Sequence, residues 1–137
     1  MTELEPLFVS PHLADWLGPY WEGLARHELR LPRCSVCGRW EWYPSASAPA
    51  CEGGQYVWQA ISPSATVFAF TRVHKALLPG LAEPYATGLV SPDDAPELRI
   101  PARLEDAPGL GIGARVRLAF ADAGKASFPY FRLEDGR

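Results

Sequence analysis

Three cysteines hold the clearest chemistry in this sequence of 137 residues: Cys34, Cys37 and Cys51. Cys34-Ser35-Val36-Cys37-Gly38 is a tight-turn spacing that lets two thiolates converge on one ion. A second such turn starting at Cys51 would need its partner near position 54, where the chain has Gly54. No histidine lies between residues 38 and 60 to substitute, and Glu52 is poorly placed to do so. His27 precedes the first pair and would reach it only by an unusual path. The residues alone leave three readings open: a metal-free turn pair, a three-ligand zinc site completed by water, and a site completed by a partner chain. A redox role for C-x-x-C is disfavoured, because the thioredoxin-type motif belongs between a strand and a helix. An odd cysteine count in a chain expected to be cytosolic also argues against a disulfide scaffold.

Other reactive side chains form no catalytic set. The three histidines, His12, His27 and His74, are scattered, and no serine sits in a G-x-S-x-G elbow. Asp93-Asp94 and Glu105-Asp106 fall in expected turns and read as solvated loop charges. Gly109-Leu110-Gly111-Ile112-Gly113 is glycine-rich, but an alternating segment follows it where a phosphate loop would need a helix. It reads as a turn between strands.

The elements that must position these residues are short. Ser10-Pro11 is a helix start, and Leu13, Trp16, Leu17, Tyr20, Trp21 and Leu24 follow at helical spacing. Gly18-Pro19 interrupts that stripe, which predicts two short helices or one kinked helix, the second piece over about Tyr20 to His27. Residues 28–31 alternate as a strand leading into Cys34. Trp40 to Tyr43 alternates as a returning strand, residues 44–54 read as a loop, and residues 55–60 as a further strand. From residue 62 onwards the pattern is strand and turn. Segments 65–73, 85–90, 98–104, 114–120 and 129–133 suit a small barrel, with Pro101 placing the third strand at a bulge or edge. The expected division is residues 1–28 as arm and helices, 29–61 as a cysteine-bearing ribbon, and 62–137 as the barrel.

Composition agrees. Proline and glycine, 14 and 12 residues, exceed the usual share of about 12% and favour turns over long helices. A net charge of −3 speaks against nucleic acid as the main partner. No apolar run approaches the ~20 residues of a bilayer span. Met1-Thr2-Glu3-Leu4-Glu5 lacks the basic start of a signal peptide, so a cytoplasmic location is expected.

The order of motifs resembles a known family. Tyr20-Trp21-Glu22-Gly23-Leu24 is followed by Leu29-Arg30-Leu31, then Arg33-Cys34-Ser35-Val36-Cys37-Gly38, Tyr43-Pro44 and Cys51. Barrel segments come next: residues 67–74, 84–90, 111–116, and Pro129-Tyr130-Phe131-Arg132. Over about residues 15 to 133 the chain is similar to small proteins with a rubredoxin-like zinc ribbon followed by an OB-fold, often encoded beside acyl-CoA thiolases. The resemblance implies a mainly β fold, with a ribbon that binds zinc or has lost it and a five-stranded OB-fold barrel.

It further implies a non-catalytic subunit that binds and stabilises a thiolase-fold, lipid-transfer-protein-type aldolase or thiolase. Such an enzyme cleaves carbon–carbon bonds of acyl-CoA, a sterol side chain being one example. The subunit would help shape the site for the coenzyme A thioester. His74, Trp16, Tyr20, Trp21 and Leu24 are then candidate substrate or partner contacts. Arg30, Arg33 and Arg39 are candidates for coenzyme A phosphates, and Cys34, Cys37 and Cys51 for metal, with Gly54 in place of the fourth ligand. The rival expectations are a stand-alone OB-fold module for acyl-CoA or single-stranded nucleic acid, and a partner of a hot-dog-fold enoyl-CoA hydratase.

Overall fold

The computed structural model describes residues 18–44, 49, 51–75, 85–123 and 126–134. Among these residues one helix, α1 (Gly18–Ala25), precedes seven strands: β1 (Arg30–Cys34), β2 (Tyr56–Ala60), β3 (Ser64–Val73), β4 (Tyr85–Pro92), β5 (Ile100–Leu104), β6 (Arg115–Ala123) and β7 (Ala126–Leu133). The helix expected from Ser10-Pro11 lies outside the described residues. Gly18-Pro19, expected to interrupt the helical stripe, instead opens α1. Proline is favoured in a first turn because its missing N–H has no acceptor there.

α1 ends in a Schellman turn. Glu28 N–H donates to Gly23 O at 2.8 Å and His27 N–H to Leu24 O at 2.9 Å. His27, two residues past the end of the helix, takes the left-handed conformation, with φ 58°. Glycine usually fills that position because it lacks the Cβ that makes the conformation costly.

β1 and β2 pair antiparallel from Arg30 opposite Ala60 to Cys34 opposite Tyr56. Here the structure corrects the sequence reading. Trp40 to Tyr43 does not form the returning strand. Only Trp40 bridges to Arg33, and β2 supplies the true partner. Trp40 is buried in the core and Trp42 is partly buried beside it, so their alternation reflects packing and not a ladder.

The remaining strands close a barrel in the order β3-β4-β5-β7-β6. β3 bulges between Val67 and Ala69. The bulge turns Phe68 outward, 49% exposed, with the Arg99 guanidinium 4.2 Å above its ring. Gly88 faces this region of β3. A Cβ there would lie 2.2 Å from Ala69 O and 2.8 Å from Phe70 Cα, so only glycine permits the approach. β5 meets β7 in parallel at a single register pair, Leu104 with Phe131. Pro101 pairs with Leu89 of β4 on one side and has no β7 residue registered opposite it among the described residues, so the edge-like position expected of it is found inside a closed barrel.

One hydrophobic core joins ribbon and barrel. Leu24, Leu29, Leu31 and Trp40 belong to the same buried cluster as Val67, Val90, Ile100, Leu104, Val116 and Phe131. Among the described residues no buried side-chain polar atom lacks a partner, and no helix is long and apolar enough to cross a membrane.

Candidate metal centre

The first cysteine turn is built by backbone bonds. Cys34 accepts from Gly38 N–H at 2.8 Å and donates to Arg39 O at 2.9 Å. Gly38, at φ 73°, supplies the left-handed residue that closes the turn. Arg33 braces it from outside: its Nε donates to Gly38 O at 2.7 Å and its guanidinium lies 4.9 Å from the Trp40 ring centre.

A second turn approaches from the other side. Gly54 N–H donates to Cys51 O at 2.9 Å, with Gly53 at φ 76°. The two turns are stitched together by Ser35 and Gln55: Ser35 N–H donates to Gln55 O, and Gln55 N–H donates to Ser35 Oγ, both at 2.9 Å. Neither residue stood out in the sequence, because a serine–glutamine backbone clasp has no spacing signature.

These bonds bring the three sulfurs together. Cys34, Cys37 and Cys51 Sγ all lie within 4.8 Å of one another. Tetrahedral zinc, with Zn–S of ~2.3 Å, sets sulfurs about 3.8 Å apart, so a small inward movement seats an ion. Cys34 is buried, Cys51 half-buried and Cys37 exposed.

The thiols are electrostatically unequal. The Cys37 backbone N–H, then burial acting in the opposite sense and the Val36 N–H, leave Cys34 below the ordinary thiol value. Cys51 is pushed up to about 11 by the neighbouring Cys37 and Cys34 sulfurs. Three adjacent thiols cannot all ionise cheaply without a cation between them, and a thiophilic cation removes that obstacle. The donor set therefore fits zinc.

The other expected site residues are dispersed. Arg30 is taken up by Glu28, with Nε to Oε1 at 3.0 Å. Arg33 braces the knuckle, and Arg39 is exposed. Arg30 and Arg33 are three positions apart on β1, which puts them on opposite faces of the strand. Leu24 is 1% exposed and sits in the core, not on a contact surface. Tyr20 packs against Trp21 and Trp42, with ring centres 5.2 Å apart in both pairs, and burial pushes its hydroxyl up to about 12. His74 is exposed just past β3. Trp16 lies outside the described residues.

The paired acids are not merely solvated, as the sequence suggested. Asp93 grips Arg115 through both oxygens, at 2.8 and 2.7 Å. Asp94 accepts from Ser62 N–H at 2.7 Å, Asp106 from Arg72 at 2.8 Å, and Glu105 from Leu133 N–H at 3.2 Å.

His27, exposed at the end of the helix, makes contacts that the sequence did not suggest. It stacks on Phe120 at 4.7 Å and lies 3.1 Å from Asp122 Oδ1, which accepts from Ser127 Oγ as well. The carboxylate stands between histidine and serine, so this is no serine–histidine relay.

Residues 21–57 match the family described as the ChsH2 rubredoxin-like zinc ribbon domain, and residues 58–121 match the ChsH2 C-terminal OB-fold domain. The chain carries both ChsH2 domains, in succession over residues 21–121. The junction between the two matches falls inside β2, at the end of the ribbon hairpin. Among solved structures the chain is similar to "Ltp2-ChsH2(DUF35) aldolase", with 23% identity, a TM-score of 0.74, and coverage of 85% of this chain and 93% of that one. It is also similar to a protein of unknown function from the DUF35 family of Sulfolobus solfataricus, with 17% identity, a TM-score of 0.61, and coverage of 90% and 92%. At these identities the likeness concerns the fold. No curated protein matches the chain at a significant level. Within this ChsH2-type chain, the zinc-ribbon turns are the ones built above, with Gly54 at the fourth position.

Proposed function

We propose that the chain is the accessory subunit of a thiolase-fold, lipid-transfer-protein-type aldolase or thiolase acting on an acyl-CoA thioester. The observation that supports this most is the likeness over nearly the whole chain to the protein titled as part of an Ltp2-ChsH2 aldolase. The matches to both ChsH2 domain models point the same way. On this reading the partner supplies the catalytic groups. This chain stabilises that enzyme and borders its acyl site. Exposed His74 and the half-buried aromatics Tyr20 and Trp21 are the contacts proposed on this side, and Arg39, with Arg30 and Arg33, the candidates for coenzyme A phosphates. On this reading the three cysteines hold zinc and so tie the two ribbon turns together. The setting is cytoplasmic, with neither nucleic acid nor membrane as partner.

Co-expression with a thiolase-like protein encoded beside this chain tests the proposal. A heteromer that survives size-exclusion chromatography, and an aldolase activity that falls when this chain is omitted, are the expected results. Two separate proteins, with the enzyme fully active alone, would overturn it.

One observation favours a second reading, a stand-alone acyl-CoA binder. A cavity of ≈ 380 Å³ opens on the barrel, lined by Tyr85, Arg103, Leu104, Phe128 and Tyr130 among others. Ligands of OB-folds commonly sit on this side of the barrel. Calorimetric titration of the isolated chain with an acyl-CoA separates the readings, since only the second expects tight binding without a partner.

A further inference from the structure

The second ribbon turn keeps its backbone and lacks only a side chain. Gly54 donates to Cys51 as a knuckle residue would. Its own φ lies outside the left-handed region, so the backbone does not demand glycine. A Cβ on Gly54 would stand 3.2 Å from Cys34 Sγ, 3.0 Å from Cys51 O and 3.4 Å from Cys51 Cβ. The point from which a fourth protein ligand would start is therefore in contact with the Cys34 sulfur of the triad. Gly54 and Cys34 are buried, so the triad is open only from the side where Cys37, Glu52 and Gly53 are exposed.

We infer that the ion held by Cys34, Cys37 and Cys51 keeps one exchangeable coordination position beside Gly54, and that a neutral donor from solvent fills it. The inference rests on the zinc reading given under Proposed function. Structural zinc sites are closed by four protein ligands, whereas an open position is the mark of sites that exchange a ligand. Three thiolates already outweigh the charge of a divalent cation, so a neutral nitrogen or oxygen donor adds less repulsion than a further anion. The ribbon thus holds a cation that small molecules can reach. A fourth cysteine at position 54 would close that access.

The test uses the full chain loaded with Co²⁺, whose visible bands report tetrahedral thiolate coordination, and imidazole as the probe. Imidazole is expected to shift those bands saturably, with one equivalent bound per cobalt. In Gly54→Cys the bands should gain thiolate-to-cobalt intensity and no longer respond to imidazole. Because a new Cβ at position 54 crowds Cys51, X-ray absorption of the zinc-loaded wild type gives an independent reading. Three sulfurs and one lighter donor are expected there. Wild-type cobalt bands that ignore imidazole, or a zinc shell of four sulfurs, would overturn the open position while leaving zinc binding intact. Failure to take up either metal would overturn both, and would leave the subunit proposal standing, since co-purification tests that separately.

Discussion

His27 sits where the helix ends, in a backbone conformation that costs a side-chain-bearing residue about 1 kcal/mol. Phe120 stacking and the Asp122 contact hold it there. The two contributions can be separated. His27→Ala keeps the backbone cost and loses the contacts, while His27→Gly loses both. Urea midpoints at unchanged slope should place His27→Gly about 1 kcal/mol above His27→Ala.

Asp122 makes the same corner sensitive to acid. Its carboxyl is held below the usual carboxylate range by the Ser127 hydroxyl first and His27 second. A depressed folded value means stability that is present above the unfolded value of ~3.9 and lost as pH falls through the folded value. Relative to Asp122→Asn, the wild type should therefore lose stability on acidification below about pH 4. Urea titrations at stepped pH would show it, and parallel curves for the two proteins would refute it.

At the scale of elements, the bulge in β3 and the glycine across from it act as one device. Gly88→Ala forces a methyl against Ala69 O and the Phe70 backbone. Neither can give way as a flexible side chain would, so a loss of roughly 3 kcal/mol or more is expected, at the upper end of overpacking costs. Asp93→Asn removes one partner of an exposed ion pair and should cost less than about 1 kcal/mol. Thermal denaturation of the two variants side by side checks the contrast.

The strands were legible in the sequence because alternation and Gly/Pro punctuation survive in short β segments. The cysteine turn at Cys34 was legible for the same local reason. Trp40 to Tyr43 was not. Its alternation is equally compatible with tryptophans dipping into a core, and only the pairing of β1 with β2 decides between them. The stitches at Ser35–Gln55, Asp93–Arg115 and His27–Asp122 join residues far apart in sequence, between elements whose docking no periodicity encodes.

At the scale of the whole molecule, the shared core predicts how the chain unfolds. Leu31 of the ribbon is fully buried, and Val116 of the barrel is 1% exposed. Leu31→Ala should cost ~2–5 kcal/mol by the usual cavity penalty. Because both residues belong to one cluster, Leu31→Ala and Val116→Ala should each lower a single transition rather than split it. Tryptophan fluorescence follows the ribbon, which holds Trp40, Trp42 and Trp58 while the barrel strands hold none, and far-UV circular dichroism is dominated by the barrel strands. Coincident curves from the two probes support one folding unit, and a ribbon signal lost ahead of the barrel would count against it.

The barrel seam has a consequence for self-association. Among the described residues β5 meets β7 only at Leu104, so the stretch before it has β4 on one flank and no strand ladder from a described residue on the other. An unpaired flank of this kind is a template onto which another chain can add a strand, the route to aggregation. Pro101 stands in the middle of that stretch and offers no N–H, while Arg103 two residues on is exposed and charged. Both are features by which natural sheets keep open edges from recruiting neighbours. The proline that weakens this strand as a strand is thus what keeps the seam from being extended by a second molecule.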